Sequence, residues 1–194
     1  MNFPQIYLAS NSPRRRELLT QIGVDFTVLS VDVDESRLAN ETPIDYVKRV
    51  AIAKAQAGWR ILSELERRPV LGSDTSVVLA DIILGKPIND DDARAMLQQI
   101  SGRTHQVMTA VAVVTTTHIK CELNISQVTF SAMTESEIDW YIATQEGTDK
   151  AGAYAVQGLA ALFIDQIQGS YSAIMGLPLR ETGLLLQQLT GQAE

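Results

Sequence analysis

PVLGSDTSVVLADIILGK, residues 69–86, decides what kind of sheet this chain builds. PVLGSD and TSVVLA read as strand segments separated by a sharp feature. ADI then turns the chain into a third apolar run, IILGK. Two strand-like runs joined so tightly make a hairpin, and a hairpin is antiparallel. Elsewhere helical and strand patterns alternate, as parallel crossovers require. An α/β fold with a mixed sheet flanked by helices fits both observations; a purely parallel sheet does not.

Upstream, IYLA is a short apolar strand. A helix follows from about Ser12 to Ile22, with Ser12 as N-cap, Pro13 at the first helical position, Leu18, Leu19 and Ile22 inward, and Gly23 as its stop. FTVLSV reads as the next strand and VDVDESRLANE as an acidic loop. Thr42 and Pro43 open a long helix with Asp45 in its first turn and Val47, Val50, Ala51, Gly58 and Leu62 on one face. Downstream, a helix over Asn89–Ile100 starts with Asp90, Asp91 and Asp92, and Gly102 lies just beyond it. HQVMTAVAVVTTT and NISQVTFS are strand-rich, Thr134 and Glu137 form a capping-box pattern, ALFIDQI is a strand, and PLRETGLLLQQL is a closing helix. Repeats, long linkers and low-complexity tracts are absent.

The 194 residues suffice for a substantial core, and 45% hydrophobic with 20% charged residues is ordinary for a folded soluble protein. A net charge of −7 argues against non-specific nucleic-acid binding, whose affinity comes from phosphate neutralisation. It leaves room for a local cationic pocket that takes a small anion. Cys121 is the only cysteine, so no intrachain disulfide forms, which suits a reducing compartment. MNFPQIYLAS lacks the basic and apolar regions of a signal peptide, and LAALFI is far too short to span a bilayer. The expectation is a cytoplasmic protein with no membrane partner.

The first helix opens SPRRR, yet a helix N-terminus carries partial positive charge and favours acids. Two readings fit Arg14, Arg15 and Arg16: a phosphate held by backbone N–H groups and guanidinium forks, or a solvated basic patch. Lys54 falls on the apolar stripe of the long helix, where it either snorkels or meets an anion in a cleft. Asp74 stands between two apolar runs, and an unpaired buried carboxylate is expensive. It needs Lys, a metal ion or backbone N–H groups, unless it makes an Asx-turn at a strand break. Asp74 with Lys86, and Glu35 in the acidic loop, would suit metal-assisted hydrolysis around a phosphate. Walker, Rossmann and nucleophile-elbow motifs are missing, and His105 and His118 have no metal spacing with Cys121. DKAGAYAVQG, residues 149–158, is rich in small residues where backbone could approach a ligand, or simply pack in a core.

LASNSPRRRELL, VDES, VKRVAIAKA, VLGSDTSVV, LGKP, SGRTHQVMTAV, DKAGAYAVQG and GSYSAIMGLPL run in order through nearly the whole chain. Together they resemble the Maf family, the septum-formation-like nucleotide pyrophosphatases. The resemblance implies one Maf-like domain over residues 1–194, with two lobes around a central cleft and a fold like that of the inosine triphosphate pyrophosphatases. It implies hydrolysis of a nucleoside triphosphate to the monophosphate and pyrophosphate with a divalent cation, Mg²⁺ or Mn²⁺. Arg14, Thr75 and Gln157 match the dTTP/UTP subgroup. The family's proton acceptor falls on Asp74, and its phosphate and metal surroundings on Ser10, Arg14, Arg15, Glu35, Lys54 and Lys86. Asp74 is a candidate base, a candidate metal ligand, or both. Ala80–Asp81 stands at a hairpin tip where Asp–Gly is more usual. A homodimer stays open, and so does the alternative of a non-catalytic nucleotide-binding regulator of cell division.

Overall fold

The computed structural model describes residues 2–190. The chain runs β1 (Ile6–Leu8), α1 (Pro13–Gln21), β2 (Phe26–Val28), α2 (Pro43–Arg60), β3 (Val70–Leu79), β4 (Ile82–Leu84), α3 (Asp90–Ile100), β5 (Thr104–Val114), β6 (Ile119–Phe130), α4 (Glu135–Ala143), β7 (Ile164–Gln168), α5 (Tyr171–Met175) and α6 (Leu179–Thr190). Seven strands form one sheet in the order β2-β1-β3-β5-β6-β7, with β4 paired to β3. β1 is parallel to β2 and β3, whereas β3–β4 and β6–β7 are antiparallel. The sheet is therefore mixed, as the hairpin at residues 69–86 requires. No helix among the described residues is long and apolar enough to cross a membrane.

The chain divides into two compact units. One takes in the described residues of Met1–Asp74, Thr109–Asn124 and Gly176–Glu194; the other is Thr75–Met108 with Ile125–Met175. In the first, Ile6, Leu8, Leu19, Val47, Val50, Leu71, Leu185 and Leu186 are buried. In the second, Val77, Leu97, Ile100, Val128, Phe130, Ile138 and Tyr141 belong to one apolar cluster.

Helix α2 begins as its sequence predicts, with the Thr42 side chain accepting from Asp45 N–H. It lies against β3 through small residues. A Cβ on Gly72 would meet Ala51 O at 2.4 Å and Ala55 N at 2.6 Å, and one on Gly58 would meet Val70 Cγ1 at 2.8 Å. Helix α4 carries the full capping box between Thr134 and Glu137, and the Asn89 side chain caps α3 through Asp92 N–H.

Five local expectations need correction. β3 runs unbroken through Asp74, with no sharp feature, because the carboxylate is paired across to α2 and makes no Asx-turn. Ser12 stands at the N-cap position with Pro13 following, but its hydroxyl caps nothing; its own N–H donates to Ser10 Oγ at 3.3 Å. Leu62 lies beyond the end of α2 at Arg60. The FTVLSV strand is confined to Phe26–Val28. Residues of ALFIDQI up to Phe163 wind as a 3₁₀ turn, and the strand starts at Ile164.

Candidate active site around Asp74

The sequence folds three separated stretches onto one ammonium. Lys54, on the face of α2 that packs on β3, places Nζ 2.8 Å from Asp74 Oδ1 and 3.0 Å from Glu35 Oε1. Its side chain is 13% exposed and that of Asp74 8%, while that of Glu35 is 50% exposed. Lys54 therefore does not snorkel. Its charge is turned into the protein, where two carboxylates compensate it.

The loop that carries Glu35 is tied down by an arginine of the same helix. Arg49 donates to both carboxylate oxygens of Glu41, at 2.6 and 2.9 Å, and to Ser36 O at 2.9 Å. Arg37 donates to Glu41 O at 2.6 and 3.0 Å. This bidentate pairing holds the Glu41 carboxyl below its ordinary range. Hydrogen bonds from Ser36 do the same for Asp34.

Helix α1 supplies the remaining cations. Arg15 donates through Nε to Gly176 O at 2.8 Å and through Nη1 to Ser10 Oγ at 3.0 Å. Burial pulls its pKa below the ordinary guanidinium value; the negative charges of Asp74 and Glu35 oppose that and the neighbouring Arg14 adds to it. Asp74, Glu35 and Arg14 thus lie within electrostatic reach of Arg15. Arg16 turns away and donates to Asn11 O at 2.9 Å. The mismatch between α1's dipole and its three arginines is resolved differently for each: Arg15 is built into the site, Arg16 caps local backbone, and Arg14 makes no hydrogen bond or ion pair with the described residues. Tyr46 on α2 feels the same acids; burial, then Asp74 and Glu35, raise its phenol above the usual value.

Of the residues singled out from the sequence, Ser10 and Arg15 are joined by a hydrogen bond, Lys54 is joined to Glu35 and Asp74 by ion pairs, and the charges of Asp74 and Glu35 act on Arg15. Thr75, Lys86 and Gln157 belong to the second unit. Thr75 is half-buried in β3, Lys86 is exposed beyond β4, and Gln157 is exposed in a turn before the 3₁₀ segment Leu159–Phe163. Of the partners the sequence left open for Asp74, the structure supplies a lysine, Lys54.

A family model described as Maf-like protein matches residues 5–189. The chain belongs to the Maf family. A protein of Pseudoalteromonas atlantica named dTTP/UTP pyrophosphatase is 52% identical over 186 residues, covering 95% of this chain and 97% of that one. Another of that name, from Cupriavidus pinatubonensis, is 53% identical over 194 residues and covers 94% and 96%. Among solved structures, the Staphylococcus aureus Ham1 protein covers 97% of this chain and all of that one, with a TM-score of 0.55 and 16% identity. That likeness is one of fold.

This Maf-family site also rests on groups that sequence reading passed over. Ser73 Oγ donates to Ala110 O at 2.8 Å and Gly176 O at 3.0 Å, so the Gly176 carbonyl ties Arg15 to β3. Gly176 has φ 121°, open to glycine alone among ordinary residues. Gly72 lets the α2 backbone approach until the Lys54 ammonium reaches Asp74. The signal was present in VLGSD and in GSYSAIMGLPL, but a backbone acceptor and a missing Cβ have no chemistry of their own to read.

Proposed function

We propose that this chain hydrolyses dTTP and UTP to the nucleoside monophosphate and pyrophosphate, in the cytoplasm and without a nucleic-acid partner. The observation that carries the reading is the Asp74–Lys54–Glu35 cluster beside Arg15. It occurs in a chain about half identical, over nearly its whole length, to proteins named dTTP/UTP pyrophosphatase. Water attacks the α-phosphorus in line, the bond to the bridging oxygen breaks, and pyrophosphate leaves. Asp74, buried and acceptor-only when ionised, takes the proton of the attacking water. Lys54, Lys86, Arg14 and Arg15 meet the charge of the phosphate chain, with Ser10 holding the Arg15 fork.

A divalent cation, Mg²⁺ or Mn²⁺, suits this donor set. Among the described residues no group of three or more His, Cys, Asp and Glu could hold a metal by itself. Such an ion is commonly held by one or two carboxylates together with substrate phosphates and water, and Glu35 and Asp74 supply the carboxylates. Bound there, the cation neutralises the phosphate chain and polarises its oxygens. The half-exposed Glu35 is its natural holder, leaving Asp74 for the proton.

Base choice falls to Gln157 and Thr75. The Gln157 amide accepts from the N3–H of uracil or thymine and donates to a ring carbonyl, and Thr75 completes the subgroup pattern. Incubating the protein with Mg²⁺ and UTP, dTTP, CTP or GTP in ¹⁸O-water tests the reading. UMP and dTMP should form with pyrophosphate, with the label in the monophosphate. Label in pyrophosphate would place the attack elsewhere. Nucleotide binding without any turnover would establish the non-catalytic regulator instead.

A further inference from the structure

The turn that carries Gln157 is held from outside by a tyrosine and a glutamate that the chemistry above does not use. Tyr141, on α4, is 1% exposed. Its hydroxyl accepts from Ala155 N–H at 3.2 Å and donates to Glu146 Oε1 at 2.8 Å. Glu146 in turn accepts from Leu159 N–H through Oε2 at 2.8 Å and from Ala160 N–H through Oε1 at 3.3 Å. The two side chains thus grip the backbone on both sides of Val156–Gly158, and Gly158 N–H closes the turn on Ala155 O at 3.1 Å.

The grip is close. A Cβ on Gly158 would stand 2.1 Å from Glu146 Oε2 and 2.4 Å from its carboxyl carbon. A lone flexible glutamate could step aside, but this one is fixed by three hydrogen bonds. Its own position is fixed as well: a Cβ on the adjacent Gly147 would strike Ala153 O at 2.0 Å. Burial, then the bond to Glu146, push the Tyr141 phenol up, so it stays a donor throughout the neutral range. Among the described residues no hydrogen-bond partner restrains the exposed Gln157 amide itself; its backbone alone is set.

We propose that Tyr141 and Glu146 are positioning residues for base selection, fixing the Ala155–Gly158 turn so that Gln157 offers one hydrogen-bonding edge to a pyrimidine. This rests on the reading that Gln157 meets the base. An amide that flips freely matches uracil in one orientation and cytosine in the other. Discrimination therefore needs the amide carried on a turn that does not shift, so that the base's other neighbours meet it in one orientation, and a half-buried carboxylate gripping three groups keeps this turn rigid.

The test is kcat/KM for UTP and CTP in the intact protein, in Glu146→Gln, in Tyr141→Phe and in Gln157→Ala, with inhibition by inorganic tripolyphosphate as a second readout. The glutamine keeps the shape but can accept at one atom only; the phenylalanine removes one hydroxyl from a ring still packed against Phe163. Both should lower the UTP-to-CTP preference by about tenfold, the scale of one well-made hydrogen bond, and leave tripolyphosphate inhibition within twofold. Adding either to Gln157→Ala should change the preference no further. Preference within twofold of the parent in both variants, while Gln157→Ala loses it, overturns the positioning role alone. So does a loss of tripolyphosphate inhibition as large as the loss on UTP, which marks general damage. Gln157→Ala with unchanged preference overturns the base reading and this proposal with it. Tyr141→Phe carries the test by itself should Glu146→Gln fail to fold.

Discussion

Lys54 Nζ lies 2.8 Å from Asp74 Oδ1, so a helix ammonium and a strand carboxylate twenty residues apart share one largely dry environment. Asp74 depends on this pairing more than Lys54 does, because Lys54 also pairs with Glu35. Burying one charge alone costs several kcal/mol, whereas a hydrogen-bonded pair comes near to breaking even. The pair also sets up chemistry, because both partners are desolvated and held before any phosphate arrives.

Lys54→Met keeps the stem and removes the charge. It leaves Asp74 buried beside methylene groups, which costs about 3–5 kcal/mol for a fully buried pair and less here, since the Lys54 side chain retains 13% exposure. The melting temperature should fall, and the double variant Lys54→Met/Asp74→Asn should recover most of the loss without recovering activity. Calorimetry with UTP kinetics checks both. A single variant that melts higher and turns over normally would mean the ammonium merely covers apolar surface.

Asp74→Asn keeps the side-chain shape and removes the proton acceptor. Turnover of UTP should fall by about 10²–10⁴-fold, the usual contribution of a positioned general base. Stability should fall less than in Lys54→Met, because Lys54 keeps Glu35 at 3.0 Å as a charged partner. Single-turnover kinetics beside thermal melts separates the two effects. Turnover within a few-fold of the parent would remove Asp74 from the role of base.

Gly72→Ala should reach the site through the backbone. The added Cβ would press on Ala51 O at 2.4 Å and Ala55 N at 2.6 Å, so α2 has to move off β3. Overpacking of this kind costs about 1–3 kcal/mol, and the displaced helix takes Lys54 with it. Both melting temperature and kcat/KM should drop. An unchanged kcat/KM with a lowered melting temperature would show that Lys54 reaches Asp74 from more than one helix position.

What the sequence made legible follows from how local each signal is. The capping box at Thr134 and Glu137 and the start of α2 at Thr42 depend on neighbours a turn away, and both are present. The mixed sheet was readable because the β3–β4 hairpin is local, with Leu79 opposite Ile82 across Ala80 and Asp81, whose positive φ of 46° and 69° make the tight turn. The cost of burying Asp74 was readable too, but its partner was not: an ammonium on another element competes with a local Asx-turn, and only packing decides. The same gap produced the false break in β3. The Gly176 carbonyl, joined to Arg15 and Ser73, lies beyond any reading of side chains.

His105 predicts a pH dependence of stability apart from the Asp74 cluster. Its ring is 2% exposed, stands among Phe130 and Tyr154, and bonds through Nε2 to the Tyr154 hydroxyl at 2.7 Å, with Nδ1 buried and unpartnered among the described residues. Burial pulls its pKa from 6.5 to about 4. Between those values the unfolded chain binds a proton that the folded one refuses, so acid favours unfolding. This share of stability is complete above pH 6.5 and is lost as pH falls toward 4, with a slope of at most about 1.4 kcal/mol per pH unit. His105→Phe removes the titrating ring. It should cost stability at neutral pH, because the Tyr154 hydroxyl loses its partner, yet lose less than the parent does on acidification. Urea unfolding of both proteins from pH 4.5 to 8 gives the difference curve, in which the carboxylates common to both cancel. A difference that stays flat across this range would mean that the folded ring takes up its proton as readily as the unfolded one.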